Sequence, residues 1–183
     1  MQPVMDRDLD EPRVNVVQGM TYVSAQPAVL TTVLGSCVAC CLFDPQMRIG
    51  GMNHFLLAQP RAGALMKGGE AERYGLYAME LLINEMLKAG AMRSQLRAHL
   101  YGGANLHAGM HEIGSANAAF AREFLERDGI PLVHSSLGGG QARRIDFRTA
   151  AGQARCRLVD EQVQVTQRMP VPNRQCGELE LFW

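Results

Sequence analysis

The sequence predicts an α+β domain in which a mixed, largely antiparallel β-sheet core carries two main helices. Three observations lead there. Short apolar and β-branched runs recur through both halves of the chain and are separated by Gly, Pro and Asp. Several of these runs are close enough in sequence to pair as hairpins, which favours antiparallel neighbours. Two longer stretches instead repeat their apolar residues at helical spacing.

At 183 residues one domain is the default, with chain enough for a proper core. Apolar residues make up 47% and charged residues 20%, the balance of a water-soluble globular protein. Lys plus Arg and Asp plus Glu number 18 each. That neutrality removes the electrostatic argument for a nucleic acid or an anionic membrane as partner. No basic segment leads into an apolar one at the start, so a signal peptide is not expected. No apolar run approaches the ~18 residues of a membrane span. Five cysteines, three of them at Cys37, Cys40 and Cys41, do not resemble a secreted disulfide framework. A reducing cytoplasm is the expected location.

Taken in order, residues 1–13 are charged and Pro-containing and are expected to be disordered. Residues 14–159 form the expected domain. Val14–Val17 and Thr21–Val23 are short strand candidates, and Val29–Leu34 is a β-branched strand leading into Gly35-Ser36. Val38–Phe43 is continuously apolar, as in a buried strand, and Ile49–Leu57 returns beside it. The Gly-rich loop Pro60–Gly69 follows and is placed at the border of a site. Glu70–Ala89 is the clearest helix, with Tyr74, Tyr77, Ala78, Leu81, Leu82 and Glu85 on one face and Gly90 closing it. Leu96–Tyr101 is a strand ending at Gly102-Gly103. Ser115 suits the N-cap of a second helix with Ala116, Ala119, Phe120, Phe124 and Arg127 inward. Leu132–Ser135 follows, then Gly138-Gly139-Gly140. The sequence helix, Gly, strand, Gly-Gly thus occurs twice, a structural echo without the signature of a phosphate-binding loop. Arg144–Arg148 and Ala154–Val159 form a hairpin across Gly152. Residues 160–183 lose periodicity and read as a tail, whose apolar end Leu181-Phe182-Trp183 suits docking on the domain or a partner.

The chemistry concentrates between Thr31 and His54. Asp44-Pro45-Gln46-Met47 suits a type I turn. A hairpin closed there opposes Phe43 to Arg48 and Cys37 to His54, with opposed Cβ atoms roughly 4.5–5.5 Å apart. A thiol beside an imidazole is the minimum apparatus for a cysteine nucleophile and its base. Composition alone favours a small buried role for any free Cys, and Cys40 and Cys41 fit it inside the apolar run. Cys37 differs because it follows Gly35-Ser36, where a tight turn can aim backbone N–H groups at an oxyanion and favour a thiolate of low pKa. Thr31 and Thr32 point to opposite faces of their strand. One of them can orient the imidazole, and spacing does not choose which.

Rival chemistries are weaker. Cys37 and Cys40, three apart on a strand, point to opposite faces and can neither close a disulfide nor share a metal. Cys37 and Cys41 share a face at roughly 13 Å. Zinc also asks for four ligands in paired spacing. His107, His111 and Glu112 have helical metal spacing, but Gly102, Gly103, Gly109 and Gly114 around them favour a solvated loop. Arg143-Arg144 reads as a structural ion pair or surface charge.

Taken together, Thr31, Leu34-Gly35-Ser36-Cys37-Val38, Asp44-Pro45 and Met52-Asn53-His54 resemble the CheD family, the chemoreceptor glutamine deamidases. Tyr74 with Leu81-Leu82, Gly102-Gly103-Ala104, and Gly138-Gly139 with Arg143 continue the resemblance over residues 14–159. The resemblance implies a layered α/β sandwich related to cysteine-dependent toxin deamidases. It implies Cys37, His54 and Thr31 as catalytic residues, beside the Gly35-Ser36 turn read above as the holder of the oxyanion. It implies hydrolysis of receptor glutamine side chains to glutamate and ammonia, with no cofactor and no metal. The implied partners are the cytoplasmic domains of methyl-accepting chemotaxis receptors and a phosphatase of the CheC type. A module that mainly binds such a phosphatase is the rival function, and a thiol redox or zinc protein the more distant one. The chain departs from the family pattern at Ala142, Asn53 and Phe55-Leu56-Leu57-Ala58.

Overall fold

A computed structural model describes residues 11–57, 70–106 and 111–159. Among these residues nine strands and two long helices make three layers. The strands are β1 (Arg13–Asn15), β2 (Thr21–Ser24), β3 (Val29–Leu34), β4 (Val38–Asp44), β5 (Ile49–Phe55), β6 (Arg97–Gly102), β7 (Leu132–Leu137), β8 (Ala142–Arg148) and β9 (Gln153–Val159). The helices are α1 (Glu70–Lys88) and α2 (His111–Arg127).

One sheet has the order β1-β3-β8-β9 and the other β2-β5-β4-β6-β7. The β1–β3 and β6–β7 pairs are parallel and the remaining pairs antiparallel, so the mixed, largely antiparallel α+β expectation holds. The two parallel members have separate causes. Helix α2 is the crossover that makes β7 parallel to β6. β1 pairs with β3 after β2 has been given to the other sheet.

β4 is the hinge of the design. All seven of its residues are buried, as a strand covered on both faces must be. Val38, Cys40 and Leu42 enter the core that α1 and α2 close with Met79, Leu82, Met86 and Phe124. Ala39, Cys41 and Phe43 enter a second core between the sheets, with Leu30, Leu34, Ile145 and Phe147. Cys37 packs against that second core, so Cys37 and Cys40 lie on opposite faces, as alternation requires.

Several expectations are corrected by this architecture. The β4–β5 loop has four residues, Pro45–Arg48, in place of the two central residues of a type I turn. The Asp44 carboxylate accepts the N–H groups of Gln46 and Met47, and Arg48 takes a left-handed φ of 57° before β5 starts at Ile49. Asp44 therefore pairs with Ile49, and His54 faces Ala39, not Cys37. The slip is two residues, an even number, so Cys37 and His54 keep the same face.

The buried stripes of both helices are also rotated. On α1 it runs through Gly75, Ala78, Met79, Leu82, Ile83 and Met86, leaving Tyr74 and Tyr77 exposed. Packing the helix on the sheet favours these smaller and more flexible side chains over tyrosine, whose hydroxyl asks for water or a partner. On α2 the stripe is Gly114, Asn117, Ala121, Phe124 and Leu125, while Ala116 and Ala119 are exposed.

Finally, α2 begins at His111, one turn before Ser115. Contact with the end of β6, including Asn105 Nδ2 donating to Ser115 Oγ at 3.1 Å, outweighs the low helix propensity of Gly114. The segment expected to be disordered, residues 1–13, includes the first residue of β1 at Arg13. The loop at 60–69, His107, and the tail at 160–183 lie outside the described residues, as do the side chains of His111 and Glu112.

Candidate active site

Cys37 follows β3 through the Gly35-Ser36 turn. Each carbonyl of that turn is held from another element. Gly35 O accepts from Ala104 N at 2.9 Å and Cys37 O from Gly103 N at 2.8 Å. Ser36 O accepts from Asn117 Nδ2 at 2.8 Å. β6 must come very close for this. A Cβ built on Gly102 would lie 2.1 Å from Cys37 O, and φ there is 110°, so only glycine fits. The Gly102-Gly103 pair is thus a clamp on the cysteine turn.

Asn117 went unrecognised in the sequence. It is fully buried, and its Oδ1 also accepts from Leu57 N at 2.8 Å, tying the end of β5 to the turn that carries Cys37. A polar residue four positions before Ala121 and seven before Phe124, on a face that packs inward, is the signal that could have revealed it. Asn53 plays the corresponding part on the helix side. Its Oδ1 accepts from Cys40 N at 2.9 Å, and its Nδ2 donates to Ala78 O at 3.0 Å.

His54 is 4% exposed and fixed through one nitrogen. Nδ1 lies 3.0 Å from Thr32 Oγ1 and 3.1 Å from Val16 O. Thr32 Oγ1 is itself 2.8 Å from Val16 O and donates to it. The threonine hydrogen is thereby used, so Nδ1 must carry a hydrogen and share it between the hydroxyl and the carbonyl. That tautomer leaves Nε2 with its lone pair, and Nε2 is buried without a hydrogen-bond partner among the described residues. Burial holds the imidazole below its ordinary pKa, with the Val16 carbonyl pulling weakly the other way. At neutral pH His54 is a neutral base.

The threonine assignment is corrected. Alternation along β3 sends Leu30, Thr32 and Leu34 inward and Thr31 and Val33 outward. Thr31 pairs with Asp146 across the strand and hydrogen-bonds its carboxylate on the outer face. Thr32, not Thr31, touches His54.

Cys37 is half-buried, while Cys40 and Cys41 are fully buried. Burial pushes the Cys37 thiol up to about 11, against an opposing pull from its own backbone N–H. The low thiol pKa expected from the turn is overturned, because desolvation outweighs one N–H dipole. The resting Cys37 is a thiol. Its Sγ–H donates to Gln18 Oε1 at 3.6 Å.

Arg143 is no surface charge, and among the described residues it forms no ion pair. It is 3% exposed, and its guanidinium donates to Ser136 O, Gly138 O and Ser136 Oγ, the last at 3.0 Å. It locks the glycine turn between β7 and β8. A cavity of about 30 Å³ beside His54 is lined by Gly19, Met20, Tyr74 and Tyr77.

A family model described as CheD chemotactic sensory transduction matches residues 56–158. The probable chemoreceptor glutamine deamidase CheD of Caulobacter sp. (strain K31) is 52% identical over 176 residues, covering 93% of this chain and 93% of its own. The protein of the same description from Zymomonas mobilis subsp. mobilis is 50% identical over 171 residues, covering 93% of this chain and 92% of its own. That of Agrobacterium fabrum is 45% identical over 177 residues, with coverages of 93% and 96%.

Proposed function

As the chain belongs to the CheD family, we propose that it is a glutamine deamidase acting on the cytoplasmic domains of chemoreceptors, with Cys37 as nucleophile and His54 as acid–base. The single observation that carries the reading is the state of His54. Its Nδ1 is fixed as a donor and its Nε2 is left free, on the same sheet face as a half-exposed thiol.

The steps follow from these states. The thiol is protonated at rest, so its proton moves to His54 Nε2 as Sγ attacks the carboxamide carbon of the substrate. Backbone N–H groups of the Gly35–Cys37 turn, whose carbonyls are all engaged elsewhere, stabilise the oxyanion. The intermediate collapses as the imidazolium gives its proton to the departing ammonia. Water, deprotonated by the same Nε2, then cleaves the thioester to leave glutamate and the thiol. Thr32 and Val16 O keep the ring in one tautomer throughout. The chemistry asks for no cofactor.

The surroundings suit a protein substrate better than a free amino acid. Among the described residues ten large apolar side chains are exposed, and five of them flank the site: Val17 and Met20 beside Gln18, Tyr74 and Tyr77 on α1, and Leu106 against Gly35. Tyrosine and methionine concentrated around a cleft are typical of a protein-binding surface. A receptor domain facing the cytoplasm places the enzyme there too. The rival, a module that binds a CheC-type phosphatase without turnover, has no need of a buried imidazole with a free nitrogen.

The test is to incubate the protein with receptor cytoplasmic fragments and measure ammonia together with glutamine-to-glutamate conversion by peptide mass spectrometry. Conversion by the native protein and none by Cys37→Ser is expected. No conversion of any receptor fragment by the native protein would leave the binding role as the better reading.

A further inference from the structure

Among the described residues, Gln18 is the one side chain hydrogen-bonded to the sulfur of Cys37, and none of the steps above uses it. It sits in a turn whose position is set by the site itself. Met20 N donates to Val17 O at 3.0 Å, with Gln18 and Gly19 as the two central residues and Gly19 at φ 85°, the pattern of a type II turn. On one side Val16 N donates to Thr31 O at 2.9 Å. On the other, Gly19 N donates to His54 O at 2.7 Å, and His54 N to Met20 O at 3.0 Å. The backbone carrying Gln18 is therefore bonded to β3, which leads into Cys37, and to β5, which carries His54.

We infer that the Gln18 carboxamide is the side-chain donor of the oxyanion hole, acting opposite the backbone N–H of Cys37. The inference rests on the deamidase reading of Cys37 and goes beyond it by assigning a second kind of donor. At rest the amide oxygen faces the weak S–H donor at 3.6 Å. Once the proton has gone to His54, that donor no longer exists, and a negative oxygen develops on the carbon bonded to Sγ. A half turn of the carboxamide exchanges its oxygen for its NH₂ at nearly the same place. An oxygen on a carbon attached to Sγ lies within ~3 Å of the sulfur, so a group already 3.6 Å from Sγ is within the ~2.7–3.1 Å reach asked of an oxyanion donor. The neighbouring turn contributes no competing acceptor, since the carbonyls of Gly35, Ser36 and Cys37 are engaged by Ala104, Asn117 and Gly103. Gln18 is exposed at the mouth of the site, where it can turn without disturbing the core.

The experiment compares native protein, Gln18→Ala, Gln18→Glu and Cys37→Ser on a receptor fragment, with folding checked by circular dichroism. Gln18→Ala should lower kcat by about 10²–10³-fold with little change in KM, the size typical of one lost oxyanion donor. Gln18→Glu, which keeps the shape but removes the donor and adds a charge, should be at least as low. Unchanged kcat in Gln18→Ala overturns the inference. A rise in kcat/KM also overturns it, since Gln18 would then be a plug that substrate must displace. Conversion of Gln18 itself to glutamate in the native protein and not in Cys37→Ser overturns it as well, making the residue a substrate. A second measurement needs no receptor. A short aliphatic aldehyde adds to Cys37 as a hemithioacetal, whose oxygen occupies the same hole. Its affinity should fall about tenfold in Gln18→Ala, the equivalent of one hydrogen bond. Equal affinity overturns the donor role even where the receptor substrate has been misassigned, and a fall in affinity supports it even there.

Discussion

The β4–β5 pair has two ends, and they treat their polar groups in opposite ways. At the loop end Asp44 is 1% exposed and saturated. Oδ1 accepts from Gln46 N at 2.9 Å and Met47 N at 3.0 Å, and Oδ2 from Met92 N at 2.8 Å. At the far end His54 is nearly as enclosed, yet among the described residues Nε2 has no hydrogen-bond partner, and the neighbouring Cys37 thiol makes one weak hydrogen bond. Leaving a buried polar atom unpaired costs about 1–3 kcal/mol. The same two strands therefore show one polar group with every valence filled and another with a valence open, the one the proposed chemistry would use. The difference lies in which valences are filled, and burial alone does not reveal it.

The comparison breaks most decisively through substitution. Cys37→Ser should abolish deamidation, and His54→Ala should reduce kcat by about 10²–10⁴-fold, while both proteins stay folded. Asp44→Ala should do the reverse: kcat holds, and stability to urea falls by about 1–3 kcal/mol as three N–H groups lose their acceptor. Parallel measurement of ammonia release and urea midpoints checks all three. Full activity in His54→Ala, or an inactive but stable Asp44→Ala, would reverse the assignment of the two ends.

Proton uptake separates the ends in a second way. Both groups have depressed pKa values when folded, by different routes. For His54 burial disfavours the cation; for Asp44 burial opposes ionisation but the N–H groups of Met47, Met92 and Gln46 outweigh it. In each case the unfolded chain takes the proton first as pH falls. Stability should then be lost from His54's ordinary 6.5 downward, and again from Asp44's ordinary 3.8 downward. Asp44→Asn should shrink the lower step to the share left by Asp146, whose carboxyl is also held down by Thr31, Arg157 and Arg13, and leave the upper. Cys37 sharpens the same contrast at high pH. With its thiol at about 11, iodoacetamide should label it roughly tenfold faster per pH unit from neutrality to pH 10, and ahead of the enclosed Cys40 and Cys41. A plateau in the labelling rate near neutral pH would mean a thiolate at rest.

Most of the fold was legible because it is written in local periodicity. β3 begins and ends where its β-branched run does, and Gly90 closes α1 with φ 104°. Less legible was whatever depends on how one element meets another. A hairpin read from Asp44-Pro45 gives the correct face for Cys37 and His54, but the four-residue loop depends on a carboxylate folding back onto two N–H groups. Tyr74 and Tyr77 have core spacing but lie on the site's rim, because the stripe that packs is set by the sheet beneath. Asn117 and Gln18 act on the cysteine from 80 residues after it and 19 before it, through one hydrogen bond each, a distance no period spans. The shared face of Cys37 and His54 was legible because alternation along two adjoining strands survives a register slip of an even number of residues.

The smallest expected effect tests the finest feature, the choice between Thr31 and Thr32. Adjacent residues on β3 face opposite sides, one toward His54 and the other toward Asp146. Thr32→Val keeps the shape and removes the hydroxyl. Nδ1–H retains Val16 O at 3.1 Å, so the tautomer survives with a single acceptor where it had two. A net loss of one hydrogen bond is worth about 0.5–1.5 kcal/mol, or roughly a two- to tenfold fall in kcat. The change should be larger in single-turnover ammonia release than in binding, because the ring's orientation matters as the proton moves. Thr31→Val removes a contact with Asp146 on the outer face and should leave kcat within twofold of native, about the ±0.5 kcal/mol of a surface change. Single-turnover rates for the two variants, taken under identical conditions, rank the threonines directly. If Thr31→Val is the slower enzyme, the imidazole takes its orientation from the other face of the strand, and the inward register of Thr32 against His54 is wrong.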